Sequence, residues 1–241
     1  MTVRTSPQPH EQTAPGHTLG QEAAVEDYLK ALYSLESRGG DSVSTTALAE
    51  RLGVTLPAAS AMAKRLAERG LASHEPYRGV ALTDAGRRLA LEVMRHHRLI
   101  ETFLAEELGM PWDRVHAEAD VLEHVISEDL EELIALKLGN PGRDPHGDPI
   151  PTADLRISEH DLAALAELEV GDSGVFARVS DSDPGMLRYL AERGIAPGDR
   201  LEVVDRQPFG GPVFVRIGDD VHPLGGELAT AMRIELEGGG R

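Results

Sequence analysis

Residues 45–83 read TTALAERLGVTLPAASAMAKRLAERGLASHEPYRGVALT. Thr45 or Thr46 opens a short helix with Leu48, Ala49 and Leu52 on one side, and Gly53 breaks it. Thr55 is placed to cap a second helix, and Pro57 falls in its first turn, where a missing N–H costs nothing. That helix runs to about Arg69 and stops at Gly70. Two short helices about a tight Gly-containing turn make a helix-turn-helix pattern. Leu71–His74 and Val80–Thr83 then read as strands around Glu75-Pro76-Tyr77-Arg78-Gly79, which forms a wing. On the second helix Ala58, Ser60 and Ala61 face outward, while Met62 and Leu66 face the core. Small side chains there let a helix approach the major groove closely. The candidate DNA-contacting residues are Thr55, Pro57, Ala58, Ser60, Ala61, Lys64, Arg65 and Arg78, with Thr55, Ser60, Lys64, Arg65 and Arg78 serving chiefly on phosphates.

A net charge of −17 argues against DNA binding at first sight. Its distribution reverses that. Residues 41–90 hold seven basic against five acidic groups, whereas residues 91–150 hold five against fourteen. The one basic segment is the one with the helix-turn-helix. The acidic segment beside it would repel a polyanion unless it held cations.

Outward from this stretch the 241-residue chain divides readily. Residues 1–20 are rich in Pro, Thr, Gln and Gly without apolar period and read as a disordered tail. A helix carrying Val25, Tyr28, Leu29 and Leu32 follows, so residues 21–90 make a winged helix-turn-helix domain. Helices over about 87–108, 112–127 and 128–138 make a helical domain, 91–151, that ends in a Pro- and Gly-rich loop. Residues 152–170 form a linker. Beyond it, 171–241 carry short β-rich runs at 175–179, 201–204, 213–217 and 233–236, interrupted by a helix at about 184–193. This is a small β-barrel, expected to be held only loosely to the rest. The expected fold is thus mainly α with a small β domain. No apolar run approaches the ~20 residues needed to span a bilayer, and no signal-peptide pattern opens the chain. A cytoplasmic protein that does not bind membranes is expected.

The chain has no cysteine, so any metal must be held by imidazole and carboxylate. On a helix, His116, Asp120 and His124 of the run 116–124 would stand one turn apart, with Glu123 beside them. His97 and Glu101 repeat the i, i+4 spacing on the preceding helix, which should pack antiparallel across Gly109-Met110-Pro111. Facing helices that each bring a His and a carboxylate are a usual way to build a metal site. Asp27 on the first long helix would add a third wall. A merely solvated acidic face is the alternative for the run 116–124 alone. His96 points about 100° away from His97 and reads as surface.

These strings resemble the diphtheria toxin repressor family of metal-dependent repressors. The resemblance rests on Glu26-Asp27-Tyr28-Leu29, Leu82-Thr83-Asp84-Ala85-Gly86, His97-Arg98-Leu99 with Glu101, Val115-His116, Glu123-His124-Val125 and the run 144–151, DPHGDPIP. It covers roughly residues 22–236. It implies a C-terminal SH3-like (FeoA-like) domain and two adjacent metal sites per chain. The regulatory site would use Asp27, Asp120, Glu123 and His124. The ancillary site would use His97, Glu101 and His116, with Asp183 at the place of a carboxylate from the β domain. Met186 falls near the place of an amide ligand. Iron-type members have Met and Cys where this chain has Asp27 and Asp120. Hard carboxylates in place of sulfur favour Mn(II), as in the manganese transport regulator branch. Lys30 stands where some of that branch have a second acid, which keeps Fe(II) open, and Co(II) or Zn(II) also suit such ligands.

The function expected is a metal-dependent repressor, not an enzyme. Loaded with Mn(II), it would bind a palindromic operator on double-stranded DNA as a homodimer and control metal-uptake genes. The dimer contact is expected among Leu99, Phe103, Leu104, Val121, Leu122, Leu133 and Leu136. An Fe(II)-dependent repressor is the near alternative. A metalloenzyme using the same cluster is a rival, but no nucleophile or general base stands apart from the ligands. A regulator of the same DNA-binding class sensing a small organic molecule would need an apolar cavity, whereas the sensor surface here is acidic and His-bearing; no small organic substrate is expected.

Overall fold

The computed structural model describes residues 15–37, 39–40, 42–75, 78–158 and 161–237. It divides into two compact units, residues 1–90 and 91–241. Most of the expected tail, and Pro76-Tyr77 at the tip of the wing, lie outside the described residues.

In the first unit, α1 (Pro15–Glu36) precedes α2 (Thr45–Leu52) and α3 (Leu56–Glu68). Thus α1 begins inside the stretch expected to be tail. Local signals set the helix-turn-helix. Ser44 accepts a hydrogen bond from Ala47 N, and Gly53 closes α2 in the left-handed conformation. Thr55 caps α3 by accepting from Ala58 N. Strands β1 (Ala72–Glu75) and β2 (Gly79–Leu82) pair antiparallel from Ala72↔Leu82 to Glu75↔Gly79. Thr83 then precedes α4 (Asp84–Glu106), accepting from Gly86 N and donating to Gly70 O. A Cβ at Gly86 would lie 1.9 Å from Leu71 O, so only glycine admits this approach. Glu36 holds the end of α1 to the wing, accepting from Leu82 N at 2.7 Å and pairing with Arg87 at 2.7 Å. The core is aliphatic: Val25, Leu29, Leu32, Leu48, Leu66 and Val80 are fully buried.

The second unit joins helices and a sheet. The remainder of α4 packs with α5 (Trp112–Leu122) and α6 (Glu128–Lys137) around Leu99, Ile100, Leu104, Val115, Ala119, Ile134 and Ala135. The sheet follows: β3 (Ala163–Ala164), β4 (Ser173–Val179), β5 (Arg200–Arg206), β6 (Val213–Ile217), β7 (Asp220–Leu224) and β8 (Met232–Leu236). Two helices, α7 (Pro184–Ala191) and α8 (Gly226–Ala231), interrupt it. The order β3-β8-β4-β5-β6-β7 is an open six-stranded sheet, not a closed barrel. It lies over a core that includes Phe176, Leu187, Leu201, Val203, Val215 and Ile234.

The β domain is not loosely held. Val179 N donates to His146 O at 2.9 Å, Arg178 pairs with Asp148 at 3.1 Å and Arg188 with Asp113 at 3.1 Å. Trp112, at the start of α5, packs into the β-domain core. Gly147, at φ +89°, is fitted so closely that a Cβ would meet Ala177 O at 2.0 Å. Backbone-to-backbone fit of this kind sets the loop 143–150 against β4.

Candidate metal centre

His97 and Glu101 lie one turn apart on α4, and His116 and Asp120 one turn apart on α5. The two helices bring His97, Glu101 and His116 together. His97 Nε2 is 3.0 Å from Glu101 Oε1 and 3.0 Å from His116 Nδ1, and His116 Nδ1 is 3.2 Å from Glu101 Oε1. A fourth donor comes from the loop between β4 and α7: Asp181 Oδ2 lies 2.9 Å from His116 Nδ1. Glu101 is almost wholly buried, at 1% exposure. A carboxylate so enclosed costs several kcal/mol unless paired, and here three imidazoles face it, the third being His146.

These donors fit a first-row divalent ion. Ligands about 2.1 Å from a metal and at right angles stand about 3.0 Å apart. Four of the cluster's edges run from 2.9 to 3.2 Å, and all four donors lie within 4.8 Å of one another. His146 adds a second indication. Its Nε2 meets Trp112 O at 2.8 Å, while its buried Nδ1 makes no hydrogen bond and sits 3.7 Å from Glu101 Oε2.

The charges of the metal-free cluster are set by these neighbours. Hydrogen bonds to Asp181 and Glu101 raise His116 to about 10 against some desolvation. Burial opposes ionisation of Glu101, but His116, His146 and His97 hold its carboxyl well below the usual range. Burial likewise works against Asp181, and the hydrogen bond from His116 overcomes it, leaving that carboxyl lowered. Burial would lower His146, yet Glu101 and Asp144 raise it to about 9. Asp144 is buried itself, which together with Asp148 and Glu101 pushes it up to about 8. Its Oδ1 accepts from His146 N and Asp148 N, both at 2.9 Å, and so shapes the loop that carries His146.

A second group adjoins the first through the other edge of His97. His97 Nδ1 is 2.5 Å from Glu123 Oε2 and 3.5 Å from Asp120 Oδ1, and His124 Nε2 is 3.3 Å from Glu123 Oε1. Helix α5 ends at Leu122, so Glu123 is its C-cap and His124 stands in the following turn. His124 is therefore not on the helical stripe of His116 and Asp120, and the turn is what aims it. Asp27 lies half-buried on α1 in the first unit.

Two further residues stand elsewhere than expected. Asp183 caps α7, accepting from Gly185 N at 2.7 Å, and Asp181 is the carboxylate that meets His116. His96 is buried, not surface, at 6% exposure, because α6 covers that side of α4. Met186 packs against the β-domain core. Asp144, His146 and Asp181 were missing from the expected ligands; the run 144–151 held the first two, but nothing local aims His146 at Glu101. On α3, Thr55, Pro57, Ala58, Ala61 and Lys64 are exposed, Ser60 and Arg65 half-buried, and Ala59, Ala63 and Leu66 buried. Arg78, beside the wing tip, is exposed. Among the described residues no helix is long and apolar enough to cross a membrane.

The chain matches three family models in succession. These are the iron-dependent repressor N-terminal DNA-binding domain (residues 22–80), the iron-dependent repressor metal-binding and dimerisation domain (83–152) and the FeoA domain (163–236). It is 35% identical over 223 residues to the iron-dependent repressor IdeR of Mycobacterium tuberculosis, covering 88% of this chain and 96% of that one. It is 32% identical over 221 residues to the diphtheria toxin repressor of Corynebacterium diphtheriae, with 88% and 96% covered. Among solved structures, a manganese-dependent transcriptional repressor in complex with manganese matches with TM-score 0.81 and 46% identity over 88% of this chain and all of that one. The manganese regulator SloR matches with TM-score 0.70 and 30% identity, over 88% and 98%. The chain belongs to the iron-dependent repressor family and is a metal-dependent transcriptional repressor, not an enzyme.

Proposed function

We propose that this repressor is activated by Mn(II), held at two sites per chain, and that in the cytoplasm it binds a palindromic operator as a homodimer to control metal-uptake genes. The observation that carries the reading is the cluster His97, Glu101, His116 and Asp181, whose four donors lie within 4.8 Å of one another, with four of the pairs at 2.9 to 3.2 Å. These four would hold one ion. Asp120, Glu123 and His124, completed by Asp27 from α1, would hold the regulatory ion. A bound cation supplies positive charge to a carboxylate-rich cluster and a fixed set of bonds among its donors. The chain's own contribution is orientation: Glu101 is held ionised by its imidazoles, and Trp112 O fixes the His146 ring. Metal affinity and DNA affinity are then linked, each strengthening the other by the same factor.

All-N/O donors and the absence of sulfur at Asp27 and Asp120 support Mn(II) over softer ions, as does the manganese-bound relative at 46% identity. Fe(II) is the second reading, favoured by the iron-dependent relatives and by Lys30, which cannot ligate while protonated. An operator titration in buffered Mn(II) and buffered Fe(II) separates them. Wild type should respond at lower free Mn(II), and Asp120→Cys with Asp27→Met should move the ranking toward Fe(II) and Co(II). An unchanged ranking in the double variant would refute the claim that these carboxylates select the metal. His124→Ala should abolish metal-dependent binding.

A further inference from the structure

The face of α4 turned away from the centre carries a second His-carboxylate group that the proposed function does not use. Glu92 and His96 are spaced i, i+4 on α4, and Glu128 opens α6 opposite them, with one donor atom of each within 4.8 Å of the others. His96 is more than nine-tenths buried and its Nε2 points into this group. The nitrogen lies 3.0 Å from Glu131 Oε2 and 3.7 Å from Glu128 Oε1, yet makes no hydrogen bond of acceptable geometry. A buried ring nitrogen left without a directed partner costs about 1–3 kcal/mol, and a coordinate bond would remove that cost.

The charge balance points the same way. Glu92, Glu128 and Glu131 gather around His96, and Arg95 pairs with Glu131, its Nε meeting Glu131 Oε1 at 2.5 Å while its Nη1 is drawn off to Pro151 O at 2.7 Å. Glu131 is thereby positioned but half occupied, and Glu92 and Glu128 are left facing each other. Burial first, and then the facing Glu128, push the Glu92 carboxyl up against the opposing pull of His96.

We propose that Glu92, His96 and Glu128, flanked by Glu131, form a third divalent-cation site that ties α4 to the first turn of α6. The donor set, one imidazole and carboxylates, suits Mn(II), Fe(II), Co(II) or Zn(II). The site lies about 100° around α4 from His97, so it is separate from the centre above although His96 and His97 are neighbours in sequence. Its consequence is local. It braces the N-terminus of α6, the helix whose exposed Leu130, Leu133 and Leu136 form an apolar face.

The test is a count of bound Mn(II) on the full chain, from the electron paramagnetic resonance signal of free Mn(II) during titration. Glu128→Ala is the main variant, because that side chain is 75% exposed and its loss leaves the core intact. It should bind one Mn(II) fewer per chain, or bind that ion at least tenfold more weakly. Asp129→Ala removes the same charge from the same helix start without touching the group and should leave the count unchanged. His116→Ala should lose a different ion, and the two losses should add. An unaltered titration in Glu128→Ala overturns the site, as does an equal loss in Asp129→Ala, which would show diffuse attraction only. A His116→Ala chain that kept its full count would instead tell against the main centre and leave this site standing.

Discussion

Loading the His97/Glu101/His116/Asp181 cluster at different pH tests whether its charges are those described. His116 is raised to about 10, chiefly by Asp181, and Nδ1, the nitrogen facing the other donors, must lose its proton before it can ligate. Metal binding therefore releases a proton, and apparent affinity rises with pH until about pH 10. At pH 7 only about one ring in a thousand is deprotonated, and at pH 8.5 about one in thirty. His116 alone should thus strengthen Mn(II) binding roughly thirtyfold across that range. Glu101 and Asp181 add no slope, because both are ionised throughout. Isothermal calorimetry in buffers of differing ionisation enthalpy, under anaerobic conditions, reads the affinity and the protons together. About one proton or more should be released per ion at pH 7.5. Asp181→Asn removes a ligand and also the main cause of the raised value, so its binding should be weaker and its pH slope shallower. A wild-type affinity that changed less than twofold between pH 7 and 8.5, with no proton released, would refute the assignment of His116 as a protonated ligand.

Dimerisation should rest on α5 and α6, where Val121, Leu122, Leu133 and Leu136 are exposed while Leu99 and Leu104 are spent in the core. Leu133→Asp with Leu136→Asp should weaken self-association at least tenfold by sedimentation while the circular dichroism spectrum stays unchanged; an intact dimer would place the interface elsewhere. Lys64 is exposed on α3, 3.9 Å from Glu68. Lys64→Ala should weaken binding to all DNA sequences alike and lower the slope of log K against log salt by about 0.9, and a change in preferred operator with an unchanged slope would reverse the assumed orientation of α3.

The helix-turn-helix was legible because its signals are local: Thr55 as cap, Pro57 in the first turn and Gly53 and Gly70 as stops all act within a few residues. The His–carboxylate pairs that α4 and α5 bring together were legible from their i, i+4 spacing. The end of α5 was not, since Val121–Ile126 contains neither Gly nor Pro and the chain continues with helical composition. His96 misled for a different reason. Its angle on α4 is a local fact, but its burial depends on where α6 lies. Asp183 could have been set aside from sequence, because Asp directly before Pro184 is the pattern of an N-cap followed by Pro at the first helical position. That reading leaves Asp181 free to ligate. Strand β7 escaped notice because it is an edge strand, where Pro223 and Asp220 are tolerated.

His97 stands between the two groups of donors, and that placement has a consequence of its own. One neutral imidazole has a single lone pair to give, and this ring faces Glu101 and His116 with Nε2 and Glu123 with Nδ1. Whenever Nε2 is engaged as a donor of electrons, Nδ1 must carry the hydrogen and donates it to Glu123 Oε2, 2.5 Å from the nitrogen. Glu123 is then gripped on one oxygen and left with the other toward His124. The tautomer of a single ring thus couples the two groups of donors that flank it. If the two proposed ions bind on either side of this ring, where that one proton sits links the one event to the other.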